Sequence, residues 1–161
     1  MKIFSLFIVS LFGCMSLFAQ EKGFVIKGRI PGMPDGVEVS LLAAEKDLLG
    51  GESSTLVETT VKNGYFELRG KLDAPLLCTL ITNNQMLHLK DTSCQIKWTY
   101  TPLFVENVEI AIKADDYDSV TSETPFIVEG GEAQRDYAEY QRLKEERRRG
   151  QPGHAHADRY H

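Results

Sequence analysis

Apolar and polar residues alternate with a period of two through most of the chain, the signature of strands with one buried face. Phe24, Ile26, Gly28 and Ile30 fall on one side of the first such stretch, with Lys27 and Arg29 on the other. Gly28, in mid-strand, predicts a bulge or another backbone passing close. Residues 31–36, rich in proline and glycine, form a turn, and residues 37–41 alternate again as a second strand. The alternation fades over residues 43–54, which read as a loop with one helical turn at 45–49. Lys62-Asn63-Gly64-Tyr65 is the sharpest local signal. Both central residues tolerate positive φ, as a type I′ turn requires, so β-branched residues 56–61 are expected to return along residues 65–70 as a hairpin.

Residues 76–81 are almost continuously apolar and predict a central strand. Asn83-Asn84 turns the chain into Met86-Leu87-His88-Leu89. Residues 94–100 alternate until Pro102, which is expected to break the strand, and Leu103-Phe104-Val105 leads on. Val108, Ile110 and Ile112 then point inward from another strand, Asp115, Asp116 and Asp118 form a turn, and residues 125–128 close the sheet region. Short strands at this spacing, without helical patterns between them, predict an all-β fold: an antiparallel sandwich or open barrel.

After Gly131 the period changes. Ala133, Tyr137, Tyr140 and Leu143 recur at helical spacing, predicting one C-terminal helix over residues 132–149. Arg135 and Glu139 are placed to pair four apart, and Arg147-Arg148-Arg149 suits the helix's negative end. Gly150 and Pro152 stop the helix, and residues 150–161, lacking any apolar period, read as a disordered tail. An isolated helix of this length is marginal in water, so its stripe needs a cover. Gly130-Gly131 is a joint short enough to fold it back on its own sheet; otherwise Tyr137, Tyr140 and Leu143 remain for a protein partner.

At the other end, Lys2 precedes an apolar run over residues 3–12, and residues 1–19 read as a secretory signal peptide. Cleavage after Ala19 releases a soluble protein. Alternatively, Leu11-Phe12-Gly13-Cys14 resembles a lipobox, whose cysteine would carry a lipid anchor. Either way the chain is expected outside the cytoplasm, in the periplasm or the outer-membrane-associated envelope, with a β domain over residues 20–131. Membrane anchoring arises only through Cys14.

Charge and candidate chemistry narrow the function. The formal net charge is −5 and falls by one when Lys2 is removed, which argues against nucleic acid as partner. Cys78 and Cys94 are the thiols that remain. In an oxidising compartment they either form a disulfide or serve as a small buried hydrophobe and a free loop thiol. His154, His156, Asp158 and His161 could hold a metal weakly in the tail, whereas Asp115, Asp116 and Asp118 lack the rest of a calcium loop. No nucleophile–base pair or Cys-x-x-Cys is evident, so neither catalysis nor a cofactor is expected. Trp98, Tyr65 and Tyr100 could instead form an aromatic groove for a glycan or peptide.

Phe24-x-Ile26-x-Gly28-x-Ile30, Asp35-Gly36 before a strand, Asn63-Gly64-x-Phe66-x-Leu68-x-Gly70 and Pro75, followed by Phe104-Val105-Glu106-Asn107 and Val128-Glu129-Gly130-Gly131, together resemble a domain-of-unknown-function family. It is the small β domain found N-terminal to thioredoxin-like or AhpC/TSA (peroxiredoxin-like) domains in exported proteins of Bacteroides-type bacteria. The resemblance implies a non-catalytic module that docks or positions a thioredoxin-like partner. The thioredoxin-like domain itself, with its Trp-Cys-x-x-Cys, is absent from this sequence, which leaves open the front half of a thiol–disulfide oxidoreductase.

Overall fold

The computed structural model describes residues 23–43 and 54–150. The signal segment with Cys14, the helical turn at 45–49, and the tail with His154, His156, Asp158 and His161 lie outside the described residues. The described residues are mostly strand, in two four-stranded sheets that do not close into a barrel among them, with one C-terminal helix.

Among the described residues eight strands follow in order: β1 (Phe24–Arg29), β2 (Glu38–Ala43), β3 (Thr55–Thr60), β4 (Tyr65–Gly70), β5 (Leu76–Asn83), β6 (Trp98–Val105), β7 (Glu109–Lys113) and β8 (Ile127–Glu129). The first sheet has the order β4-β1-β7-β8 and the second β3-β2-β5-β6. Pairing is antiparallel throughout the second sheet, but β1 and β7 run parallel in the first, so the sandwich is mixed rather than purely antiparallel.

The core lies between the sheets. Phe24 and Ile26 from β1, Phe66 and Leu68 from β4, and Ile110 and Ile112 from β7 meet Val39, Leu41, Cys78, Leu80, Leu103 and Val105 from the second sheet. Each large side chain so buried contributes about 1.5–3 kcal/mol. Val108, expected inward, precedes β7 and is exposed. Gly28 marks neither a bulge nor a passing backbone. It faces Phe66 across the β1–β4 pair, and the Phe66 ring occupies the space a Cβ would need, 2.3 Å away.

At Asn63-Gly64 the turn forms as expected, with φ of 52° and 64°, and the N–H of Lys62 and of Tyr65 each bond the other's carbonyl. The hairpin does not continue beyond that rung. β3 pairs with β2 and β4 with β1, so the tight turn carries the chain from one sheet to the other.

Two further departures shape the second sheet. Met86 to His88 belongs to a single helical turn, α1 (Gln85–His88), bridged to the following loop by Asn84, whose side chain donates to the Gln95 carbonyl and accepts from the Lys97 N–H. Pro102 does not break its strand: β6 runs straight through it. β6 is an edge strand, and the amide of Phe104, two residues on and so facing the same way, points off the sheet to a side chain. A residue without an N–H loses no ladder bond there.

Near the α1 end the core turns polar. Thr82 and Thr99 bond through their hydroxyls at 2.7 Å, with the Tyr117 hydroxyl 3.3 Å from Thr82. Burial pushes the Tyr117 phenol up. Asp116 Oδ1 accepts the Asp118 N–H at 2.8 Å, which makes the aspartate stretch a capped turn.

Candidate functional site

The helix α2 (Glu132–Gly150) is joined at its base to β6 and β8 of the sandwich. Glu106 accepts a hydrogen bond from the Glu132 backbone N–H, satisfying one of the helix's orphan donors from a distant loop. Gln134, only 7% exposed, accepts the Phe104 N–H at 2.8 Å and so covers the free edge of β6. The Tyr137 ring meets Phe104 edge-on, with centroids 5.3 Å apart. Beyond Tyr137 the apolar stripe leaves the sandwich. Tyr140 is 59% and Leu143 51% exposed.

The stripe read from the sequence is therefore divided. Tyr137 is brought to the body, while Tyr140 and Leu143 face outward on the distal half. Gln134 was not legible as an anchor, because an apolar period ignores a glutamine; its signal is an edge amide that needs an acceptor. Glu139 is paired with Arg142 rather than Arg135. Arg142 also reaches Glu146, and Arg148 pairs with Glu145. The Arg142 guanidinium holds the Glu139 carboxyl below its ordinary range. These exposed pairs support the helix locally and add little to its docking.

A second surface lies on the outer face of β6. The Trp98 and Tyr100 rings are 6.4 Å apart with planes 14° from parallel, and both are exposed. Across β5 they neighbour Asn83 and Ile81. Tyr65 does not join them. It stands on the opposite sheet, donating to Glu67 at 2.7 Å, with the Arg29 guanidinium 5.7 Å from its ring centroid. There Lys27 pairs with Glu109 and Lys113 with Glu129, giving a solvated, ion-paired face.

Cys78 and Cys94 are both free. Cys78 is buried in the core, and desolvation pushes its thiol up to about 11, the reverse of what an attacking thiolate needs. Cys94 is half-buried in the loop before β6, its carbonyl 2.6 Å from His88 Nδ1. Among the described residues no group of three His, Cys, Asp or Glu side chains is arranged to hold a metal ion. No helix there is long and apolar enough to cross a membrane.

With this geometry in place, comparison with protein families matches residues 24–137 to the family described as Domain of unknown function (DUF4369). The chain belongs to that family. The match covers most of the chain and, within it, both sheets of the sandwich. It ends at Tyr137, the residue whose ring touches Phe104, so Tyr140 and Leu143 lie just beyond the matched span of the DUF4369 domain. No curated protein matches the chain. No solved structure matches it either.

Proposed function

We propose that this DUF4369 domain is a non-catalytic docking module of the cell envelope, with helix α2 as its docking element. One observation carries the reading: the helix is fixed at its base by Gln134 and Tyr137, yet holds Tyr140 and Leu143 clear of the body. A tyrosine and a leucine side by side on a positioned helix offer a partner apolar area at low entropic cost. Export rests on the Lys2-led apolar segment, and a thioredoxin-like protein is the partner class the sequence resemblance suggests. The test is a photo-crosslinker placed at Leu143 of the full chain in the cells that produce it. The reading expects a discrete protein adduct there and none from exposed Glu123, in the turn between Val120 and β8. No adduct at Leu143 would contradict it.

The Trp98–Tyr100 pair favours a second reading, a surface that binds a glycan or peptide by stacking on its rings. Tryptophan fluorescence that stays unchanged across soluble oligosaccharides and peptides would dismiss it.

A further inference from the structure

Four positions on α2 are spaced four, three and four apart: Asp136, Tyr140, Leu143 and Arg147. That spacing places them on one stripe of the helix, the seam along which two helices pack. All four are exposed. The ion pairs along α2 do not engage the charged ends of this stripe, nor Arg135, Lys144 and Arg149 beside it. Glu139, Arg142, Glu145, Glu146 and Arg148 are engaged in pairs along α2. Asp136 and Arg147 have no ion-pair partner among the described residues.

The order of these side chains is self-complementary. Set a second copy of the stripe antiparallel to the first, with the two-fold axis between positions 141 and 142. Tyr140 then meets Leu143 of the other copy, and Asp136 meets Arg147, each contact occurring twice. This is the isologous arrangement a two-fold dimer requires. A parallel arrangement would instead place Asp136 against Asp136 and Arg147 against Arg147. The glutamates beside the stripe, Glu139 and Glu146, are both ion-paired with Arg142 of their own helix, which leaves one negative charge on the three groups together. The antiparallel pairing also puts the two sandwiches towards opposite ends of a helix pair about 28 Å long.

We infer that the partner for the distal face of α2 is a second copy of this chain, docked through an antiparallel α2–α2 pair centred on Tyr140 and Leu143 and closed by Asp136–Arg147 at both ends. This rests on the docking reading above and gives the face to a second copy in place of the thioredoxin-like partner class. Such a contact is small for a stable interface, so the dimer is weak and concentration-dependent.

The test is sedimentation of the full chain from about 5 to about 500 µM, a range chosen to bracket a weak dimer. The chain is expected to pass from monomer to dimer. Asp136→Arg and Arg147→Asp should each weaken association by about tenfold or more, since each sets like charges against one another. Mixed in equal amounts, the two variants should recover a heterodimer, because every end contact then joins Arg to Asp. Recovery also shows that neither substitution acted by unfolding the helix. A chain monomeric throughout the range, single variants that associate like the original, or a mixture that stays monomeric would each overturn the inference. If the Leu143 crosslinker captures a different protein while the chain stays monomeric, the second-copy inference fails and the docking reading stands. If it captures nothing, both fail.

Discussion

Gln134 Oε1 accepts the backbone N–H of Phe104 at 2.8 Å, so a helix side chain closes the edge of β6 two residues beyond Pro102. Together Pro102 and Gln134 dispose of two outward positions on an edge strand that would otherwise invite another chain. One lacks the donor, and the other supplies its acceptor.

Because Gln134 is buried, Gln134→Ala should leave the Phe104 amide without its partner and cost about 1–3 kcal/mol in urea unfolding. An unchanged midpoint would mean that water replaces the side chain without loss and that α2 is held by other contacts.

The Asn63-Gly64 turn gives a second expectation. Gly64→Val should destabilise by at least about 1 kcal/mol, since a β-branched residue resists φ of 64°. Its Cβ would also stand 3.0 Å from the Ile30 carbonyl oxygen. As this turn is the crossing between sheets, the loss should appear in the cooperative unfolding of the whole domain. A midpoint equal to that of the parent would contradict this account of the turn.

Cys78 predicts a pH dependence. Its thiol is raised from 9.0 to about 11 by burial, so the folded state keeps the proton that the unfolded chain gives up. The associated stability is fully present below about pH 9 and is lost as pH rises towards 11, at most about 2–3 kcal/mol over that window. Relative to Cys78→Ala, the parent should lose stability between about pH 9 and 11. Parallel profiles for the two would contradict the assignment. In the same reading, insulin disulfides should be reduced no faster by the parent than by a variant with Cys78 and Cys94 both replaced by serine.

How much of this was legible depended on whether a feature is local. The inward faces of β1, β2 and β5 follow from alternation, and the conformation of Asn63-Gly64 follows from two residues that accept positive φ. Strand partners do not follow. β3 and β4 flank a hairpin turn, yet each continues along a different strand, because Val61 bonds back to Val37 and Ile30 to Gly64. Pro102 reads as a break until the strand is known to lie at an edge. Val108 carries the right residue type one position before pairing begins. On α2 the period locates Tyr137, Tyr140 and Leu143 on neighbouring faces, but how far the sheet extends beneath the helix is a tertiary fact. The contacts of Glu132, Gln134 and Tyr137 with the sandwich fall within the first two turns, and that limit separates an anchored tyrosine from two exposed side chains.

That separation is the central claim, and the most direct measurement compares Tyr137→Ala with Tyr140→Ala in urea at protein concentrations low enough to keep the chain monomeric. The Tyr137 ring packs on Phe104, so its removal should cost about 1–3 kcal/mol. Tyr140 is mostly exposed, and its removal should change stability by less than about 0.5 kcal/mol. Equal losses from the two substitutions would show that the distal half of α2 is packed on its own domain, and would contradict its role as a free docking face.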